Sequence, residues 1–164
     1  MPNSRTFSIP PVKELLDRYV KDGKGWVDAF AGDSSRAEIT NDINPSTRAM
    51  FHFDALYFLS RIEGQFEGIL HDPPYSITQA KLCYDSYGSD KLGVSPNSMK
   101  YWSSIKNRMT ELIKPSGLAI CCGWTSMGLG VNRGFSLLEI LLVPHGGSKN
   151  DTIVTVEMRT GTWT

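Results

Sequence analysis

Residues 72–75 read Asp-Pro-Pro-Tyr and follow directly on the apolar run Phe66-Glu67-Gly68-Ile69-Leu70-His71. Proline has no N–H and a φ fixed near −65°, so the main chain through this corner is stiff and can only accept hydrogen bonds. The Asp72 carboxylate and the Tyr75 ring complete a small rigid pocket with two acceptors and a flat stacking face. Such a pocket suits a planar base bearing an exocyclic amine, whose N–H groups reach Asp72 and a proline carbonyl while its ring lies on Tyr75. Asp72 is also the last of four aspartates that each close a short strand-like run: Trp26-Val27-Asp28, Glu38 to Asp42, Met50 to Asp54, and Gly68 to Asp72. In open α/β sheets ligands bind beyond the carboxyl ends of the strands, so the four acids are expected to converge on one rim. Acids also stand at strand ends merely as turn formers and helix caps. Four in order, the last inside Asp-Pro-Pro-Tyr, go beyond that pattern.

These segments resemble the motifs of the amino-methyltransferases that use S-adenosylmethionine (SAM), above all the DNA adenine-N6 methyltransferases, whose catalytic motif is Asp-Pro-Pro-Tyr. Asp28-Ala29-Phe30-Ala31-Gly32 is similar to that family's first cofactor motif. Asn41-Asp42-Ile43-Asn44-Pro45 resembles its ribose-binding motif, and His52-Phe53-Asp54-Ala55-Leu56 its third. Phe7-Ser8-Ile9-Pro10-Pro11 resembles a motif that some members place just before the first strand. The motifs run in family order over about the first half of the chain. The second half agrees only in its pattern.

The resemblance implies SAM as methyl donor, S-adenosylhomocysteine as product and the exocyclic N6 of adenine in DNA as acceptor. It implies that Asp72, Pro73, Pro74 and Tyr75 carry the chemistry, with Tyr75 also stacking on the substrate. For the cofactor it implies Asp28, Phe30 and Gly32 against the methionine and ribose portion, Asp42 on the ribose hydroxyls and Ile43 on the adenine ring. Asp54, with Ala55 beside it, takes the adenine amine, and Phe7 and Pro10 cover the methionine end. RNA adenine, cytosine N4 and guanine N2 are alternative acceptors, and a non-catalytic module binding SAM or nucleic acid is the alternative of another class.

Positioning these residues calls for an α/β fold: a Rossmann-like, mostly parallel sheet with an antiparallel hairpin at its C-terminal end, in one domain over residues 1–164. Apolar periodicity predicts helices over 11–20, 55–62 and 99–113, a buried strand over 118–122, and a hairpin pairing 137–143 with 152–158. The segments after Asp28 and after Pro45 are too short for the usual crossover helices. Parallel neighbours normally need about a dozen residues between them. Either these crossovers are extended loops, or the second strand is not a parallel neighbour of the first, which would remove Asp42 from the site.

Residues 76–104 read as a long Ser- and Gly-rich loop, interleaving Tyr84, Tyr87 and Tyr101 with Lys81, Lys91 and Lys100. Aromatic and basic side chains together suit bases and phosphates, so Tyr84, Tyr87 and Lys91 are expected to join Tyr75 in contacting the substrate. Trp102 falls on the apolar face of the following helix and is expected in the core. His52 and His71, beside strand ends, read as packing or supporting residues, and no clustered spacing predicts a metal site.

At 164 residues, with 17 basic and 17 acidic side chains, the chain can bury about 70% of its unfolded surface and carries no excess charge for coating a nucleic acid. Cys83, Cys121 and Cys122 show no pairing pattern, and the N-terminus lacks a basic-then-apolar leader. No apolar run approaches membrane-spanning length. A reduced, cytoplasmic protein is expected. With no second domain to read a DNA sequence, recognition would fall to loop 76–104, to a homodimer or to a separate specificity partner.

Overall fold

The computed structural model describes residues 5–87, 98–147 and 150–161. Its centre is a six-stranded sheet in the order β2-β1-β3-β4-β6-β5. The strands are β1 (Trp26–Asp28), β2 (Ile39–Thr40), β3 (Phe66–His71), β4 (Ile113–Gly123), β5 (Phe135–Val143) and β6 (Thr152–Arg159). The pairs β1–β2, β1–β3 and β3–β4 are parallel, and β4–β6 and β5–β6 are antiparallel. The fold is therefore the Rossmann-like, mostly parallel arrangement with an antiparallel C-terminal pair that the sequence predicts.

Both faces of the sheet are covered, and the central strands alternate between two cores accordingly. Ile69 of β3 and Ala119 and Cys121 of β4 join one core, with Phe58 and Leu59 of α2 (Ala55–Arg61) and Ile105, Met109 and Leu112 of α4 (Met99–Leu112). Leu70, Ile120 and Cys122 join the other, with Val12, Leu15 and Leu16 of α1 (Pro10–Tyr19). α1 opens on Pro10, whose fixed φ and missing N–H cost nothing in a first turn. α2 and α4 are capped by side chains, the Asp54 carboxylate accepting from the Tyr57 N–H and the Ser98 hydroxyl from the Tyr101 N–H.

The crossover question is answered in favour of loops. Val27 pairs with Ile39 and Asp28 with Thr40, so β2 is a parallel neighbour of β1 although no helix separates them. The strand expected over 50–54 shrinks to one parallel bridge between Asn41 and Phe51. Asn41 holds these loops together. It is fully buried, its side-chain amide donates to the carbonyls of Ala29 and Phe53, and its side-chain oxygen accepts from the Phe53 N–H. One side chain thus supplies bonds that a longer strand would have made through its backbone.

Two further expectations are corrected. Residues 76–104 are not one long loop: α3 (Ile77–Tyr87) fills the first part, α4 begins at Met99, and residues 88–97, with Lys91, lie outside the described residues. A period mixing Tyr, Lys and Ser hides α3, which buries only Ala80 and Tyr84. β4 begins at Ile113 rather than 118 and passes through Lys114-Pro115-Ser116-Gly117 with an irregularity opposite Phe66–Gly68. No described helix is long and apolar enough to cross a membrane.

Gly68 marks how tightly the sheet centre is packed. A methyl group there would stand 2.6 Å from the Trp26 ring and 2.8 Å from the Leu118 carbonyl oxygen. Gly68→Ala is expected to destabilise the protein by about 1–3 kcal/mol, as overpacking does, read as a lower urea midpoint at unchanged slope.

Candidate functional site

The chain leaves β1 towards β2 on one side and passes from β3 to β4 on the other, so β1 and β3 flank a switch point in the sheet. A crevice opens there beyond the strand ends. The register sets Asp28 opposite Leu70, which leaves Asp72 just past the end of β3 and beside the loop that follows β1. Two cavities lie on either side of the Asp72–Tyr75 corner. The first, about 190 Å³, is bounded by Ala29, Phe30 and Gly32 after β1, Asp42 and Ile43 after β2, Ala55 at the start of α2, and Asp72 and Pro74. The second, about 350 Å³, is bounded by His71, Pro73, Pro74, Tyr75, Trp102 and Trp124, with Lys106, Cys121 and Cys122 also in its wall. Pro74 borders both.

In the first cavity the expected residues Phe30, Gly32, Asp42, Ile43 and Ala55 come together as walls. Gly32 has φ +51°, a left-handed turn that costs glycine little, and its N–H donates to Asp42 Oδ2 at 2.8 Å. The Asn44 N–H donates to Asp42 Oδ1 at 2.8 Å, so two backbone donors fix this carboxylate at the cavity wall. Burial raises the Asp42 carboxyl above the ordinary range, opposed by those same two bonds.

Asp28 is fully buried and does not border the cavity. Its Oδ1 accepts from the Phe30 N–H at 2.9 Å and its Oδ2 from the Ser35 hydroxyl at 2.6 Å. It shapes the loop that carries Phe30 and Gly32. Asp54 likewise faces inward: besides capping α2, it accepts from the Tyr101 hydroxyl at 2.6 Å. Tyr101 spends its one proton there, so Tyr84, 2.6 Å away, donates to Tyr101. The adenine-amine role expected of Asp54 therefore falls on a carboxylate engaged in a buried chain outside both cavity walls. Of the residues expected to contact substrate, Tyr84, 7% exposed, and the exposed Tyr87 border the first cavity, whereas Tyr75 borders the second.

Phe7 is a core residue packed with α1, and Pro10 is the exposed start of that helix; neither borders either of these two cavities. What the N-terminal segment brings is Thr6, which sequence reasoning missed and whose side chain hydrogen-bonds Asp72. The Tyr75 hydroxyl donates to Asp72 Oδ1 at 2.6 Å, and the Tyr75 ring meets Trp124 edge-on at 5.8 Å. Burial pushes the Asp72 carboxyl up to about 6, against the lowering effect of Tyr75 and Thr6. Trp102 is only half in the core. It stacks on Phe30 at 6.1 Å and borders the second cavity.

The far wall of that cavity is the loop 124–130, missed in the sequence. Glu157 of β6, 3% exposed, accepts from the N–H groups of Leu129 and Gly130, and Lys106 Nζ donates to the Gly128 carbonyl at 2.6 Å. The paired glycines and the Glu157–Leu129 separation give no local periodicity to read. Among the described residues no group of His, Cys, Asp and Glu side chains is arranged to hold a metal ion.

No family model matches the chain, and no curated protein matches it by sequence. Solved structures do match its fold. One is the N-methyltransferase NodS from Bradyrhizobium japonicum WM9 in complex with S-adenosyl-L-homocysteine, at TM-score 0.60 and 9% identity over 96% of this chain and 89% of that one. A second is the 1,6-didemethyltoxoflavin-N1-methyltransferase of Burkholderia thailandensis with its substrate and S-adenosylhomocysteine bound, at TM-score 0.61 and 14% identity over 92% of this chain and 77% of that one. TrmN from Thermus thermophilus matches at TM-score 0.56 and 14% identity over 92% of this chain and 48% of that one.

Asp28 offers a direct test of the buried-acid geometry. Burial is the main cause of its raised pKa, about 7, and nearby Asp72 and Asp42 add to it. The unfolded carboxyl titrates near the ordinary value of 3.8. Between those values the folded state holds a proton that the unfolded state has lost, so this contribution is full below about 4 and fades as pH rises through about 7. Asp28→Asn keeps an acceptor for Phe30 and a donor for Ser35. Denaturant titrations from pH 4 to 8 are expected to show that this variant gains on the parent as pH rises. A constant difference between the two would contradict the assignment. With this geometry in view, the fold is that of the SAM-dependent methyltransferases.

Proposed function

We propose that this chain is a SAM-dependent methyltransferase that acts on the exocyclic N6 of adenine in DNA. The observation that carries the reading is the place of Asp72-Pro73-Pro74-Tyr75 as the partition between two cavities. The first cavity is the cofactor site and the second the acceptor site.

The first cavity fits SAM by its chemistry. The cofactor carries an ammonium and a sulfonium but no phosphate, so it calls for acids and not for a run of glycines. Asp42 and Asp72 are in the wall, no basic side chain among the described residues is, and the charges of Asp72 and Asp42 raise the cost of ionising nearby Asp28. A cation relieves that repulsion. Asp42, pinned by Gly32 and Asn44, keeps lone pairs for the two ribose hydroxyls, and Ile43 and Phe30 offer apolar surface to a flat ring. When bound, SAM supplies an electrophilic methyl group.

The rest of the chemistry belongs to the partition. An exocyclic amine has its lone pair delocalised into the ring and is a poor nucleophile. An amine that reaches past Pro74, which borders both cavities, meets Asp72 in the first cavity's wall. Acceptance of its two N–H groups by the Asp72 carboxylate and the Pro73 carbonyl favours the pyramidal nitrogen and offsets the positive charge that grows on it during attack. The surplus proton then leaves to water. The fixed proline φ values keep these acceptors from relaxing away from that geometry. Tyr75, Trp102 and Trp124 supply flat faces to the second cavity. Stacking is worth about 1–3 kcal/mol per base, which offsets the few kcal/mol of taking a base out of a duplex. Exposed Ile77, Met99 and Trp124 in the second cavity's wall suit a wedge against neighbouring bases.

Incubation with labelled SAM and a panel of DNA and RNA, followed by nucleoside analysis, tests the reading. Label is expected in N6-methyldeoxyadenosine, and label only in another nucleoside would reassign the acceptor. Asp72→Asn is expected to lower transfer by at least about 100-fold, far more than it weakens calorimetric SAM affinity. Normal methylation by that variant rules the mechanism out.

Transfer needs Asp72 as carboxylate, which its pKa of about 6 provides only above that pH. The kcat/KM profile is therefore expected to fall about tenfold per pH unit below about 6. Asp42→Ala is expected to weaken SAM binding by about tenfold or more, the scale of hydrogen bonds to a charged group. Unchanged affinity would remove Asp42 from the site.

A further inference from the structure

His71 immediately precedes Asp72, and packing alone does not account for it. Its side chain is 3% exposed, and Nδ1 is a buried nitrogen without a hydrogen-bond partner, the one such side-chain atom among the described residues. Leaving a buried polar atom unpaired costs about 1–3 kcal/mol. An apolar side chain at the end of a buried strand would avoid that cost. The ring is nevertheless held in place: Phe30 meets it edge-on at 5.5 Å and is itself stacked on Trp102. Burial, with a lesser effect of the Lys106 charge, drives its pKa down to about 3, so the imidazole is neutral. A neutral imidazole has one N–H and one bare nitrogen. This ring forms part of the wall of the second cavity, beside Pro73 and Tyr75.

We infer that His71 is a specificity-determining residue of the acceptor site, donating a hydrogen bond to the ring nitrogen adjacent to the amine that is methylated. The inference rests on the reading of the second cavity as a nucleobase site. In adenine the reactive amine neighbours N1, an unprotonated ring nitrogen that only accepts. With the amine protons on Asp72 and the Pro73 carbonyl, N1 needs a donor from the wall beyond β3. A half-turn of the imidazole about Cβ–Cγ exchanges Nδ1 with a carbon of nearly the same size, so the N–H can turn to the cavity without repacking Phe30. A base with carbon at this position leaves Nδ1 as unpaired as it is now. Sites built to hydrogen-bond a group reject analogues that lack it far more strongly than apolar pockets reject an extra methylene.

The test compares adenine with 1-deazaadenine, in which N1 is a C–H, at the same position of one oligonucleotide. The ratio of kcat/KM for the two bases is measured for the unmodified protein, His71→Leu and His71→Asn. The analogue's own reactivity cancels when ratios are compared across variants. The preference for adenine is expected to be about tenfold larger in the unmodified protein than in His71→Leu, the scale of one hydrogen bond. His71→Asn, whose amide N–H lies near the place of Nδ1, is expected to recover part of it. Equal ratios in the unmodified protein and His71→Leu overturn the inference.

A second measurement does not depend on turnover or on a folded variant of His71. The chain has three histidines, so imidazole nitrogen NMR of the unmodified protein resolves them, with His52→Gln and His145→Gln for assignment. Deoxyadenosine is expected to shift the His71 N–H resonance, and its 1-deaza analogue to leave it in place. Equal responses to both nucleosides, or none to either, overturn the inference. Absence of transfer to any nucleic acid would instead count against the proposed function, while the NMR titration still decides the role of His71.

Discussion

Everything at the strand ends depends on keeping carboxylates out of water without cancelling their charge. Asp28 is fully buried and Asp72 nearly so, at the ends of neighbouring parallel strands, and the Asp72 charge adds to the cost of ionising Asp28. The fold contains this repulsion with neutral donors. A backbone N–H and a serine hydroxyl hold Asp28, Tyr75 and Thr6 hold Asp72, and two backbone N–H groups hold Asp42. None of these partners is an arginine or lysine. A salt bridge would have stabilised the free protein and spent the field on itself. Neutral donors fix the acids in place without pairing them with a countercharge.

That constraint also explains how the sheet manages with loops where parallel strands usually have helical crossovers. A loop beside buried acids has to satisfy its own backbone, and side chains do so here. Asn41 ties the loop after β1 to the segment at 51–53, while Asp42 ties Gly32 and Asn44. The Asn41 N–H donates to the Asp28 carbonyl and its carbonyl accepts from the Ala31 N–H, which continues the ladder by one residue past β2. The wall of the first cavity and the crossover are thus built from the same few residues, and a change at Asn41 would disturb both.

The sequence made legible what is periodic or stiff. The strands before Asp28 and Asp72, a proline start for α1 and the Asp-Pro-Pro-Tyr corner follow from local rules, although α1 opens at Pro10, one residue before the expected range, and the run ending at Asp54 forms only a single bridge. What escaped was interaction across long separations. The Tyr84–Tyr101–Asp54 chain joins residues 17 and 47 positions apart. It converts a presumed substrate aromatic and a presumed ligand acid into one buried network. Thr6 reaches Asp72 from beyond the far end of α1, and Glu157 organises residues 128–130 from β6. α3 was hidden because a helix with a narrow apolar face carries almost no 3.6-residue signal.

The division of labour within the sheet follows from its topology. The parallel half, β1 to β3, sends its loops to the first cavity. The second is bounded instead by the end of β4, the loop that Glu157 anchors, and α4. β3 is the boundary, and a corner at its end faces both sides only if its main chain cannot fold back over either. Two consecutive prolines impose that condition. They cannot donate a hydrogen bond to a neighbouring strand, so β3 ends there, and they cannot be drawn into α3, which starts at Ile77. Pro74 can therefore border both cavities while the residues on either side diverge, Asp72 to one and Tyr75 to the other. A flexible turn could present the same groups, but it would pay for their alignment at every encounter. Here the alignment is fixed when the sheet forms.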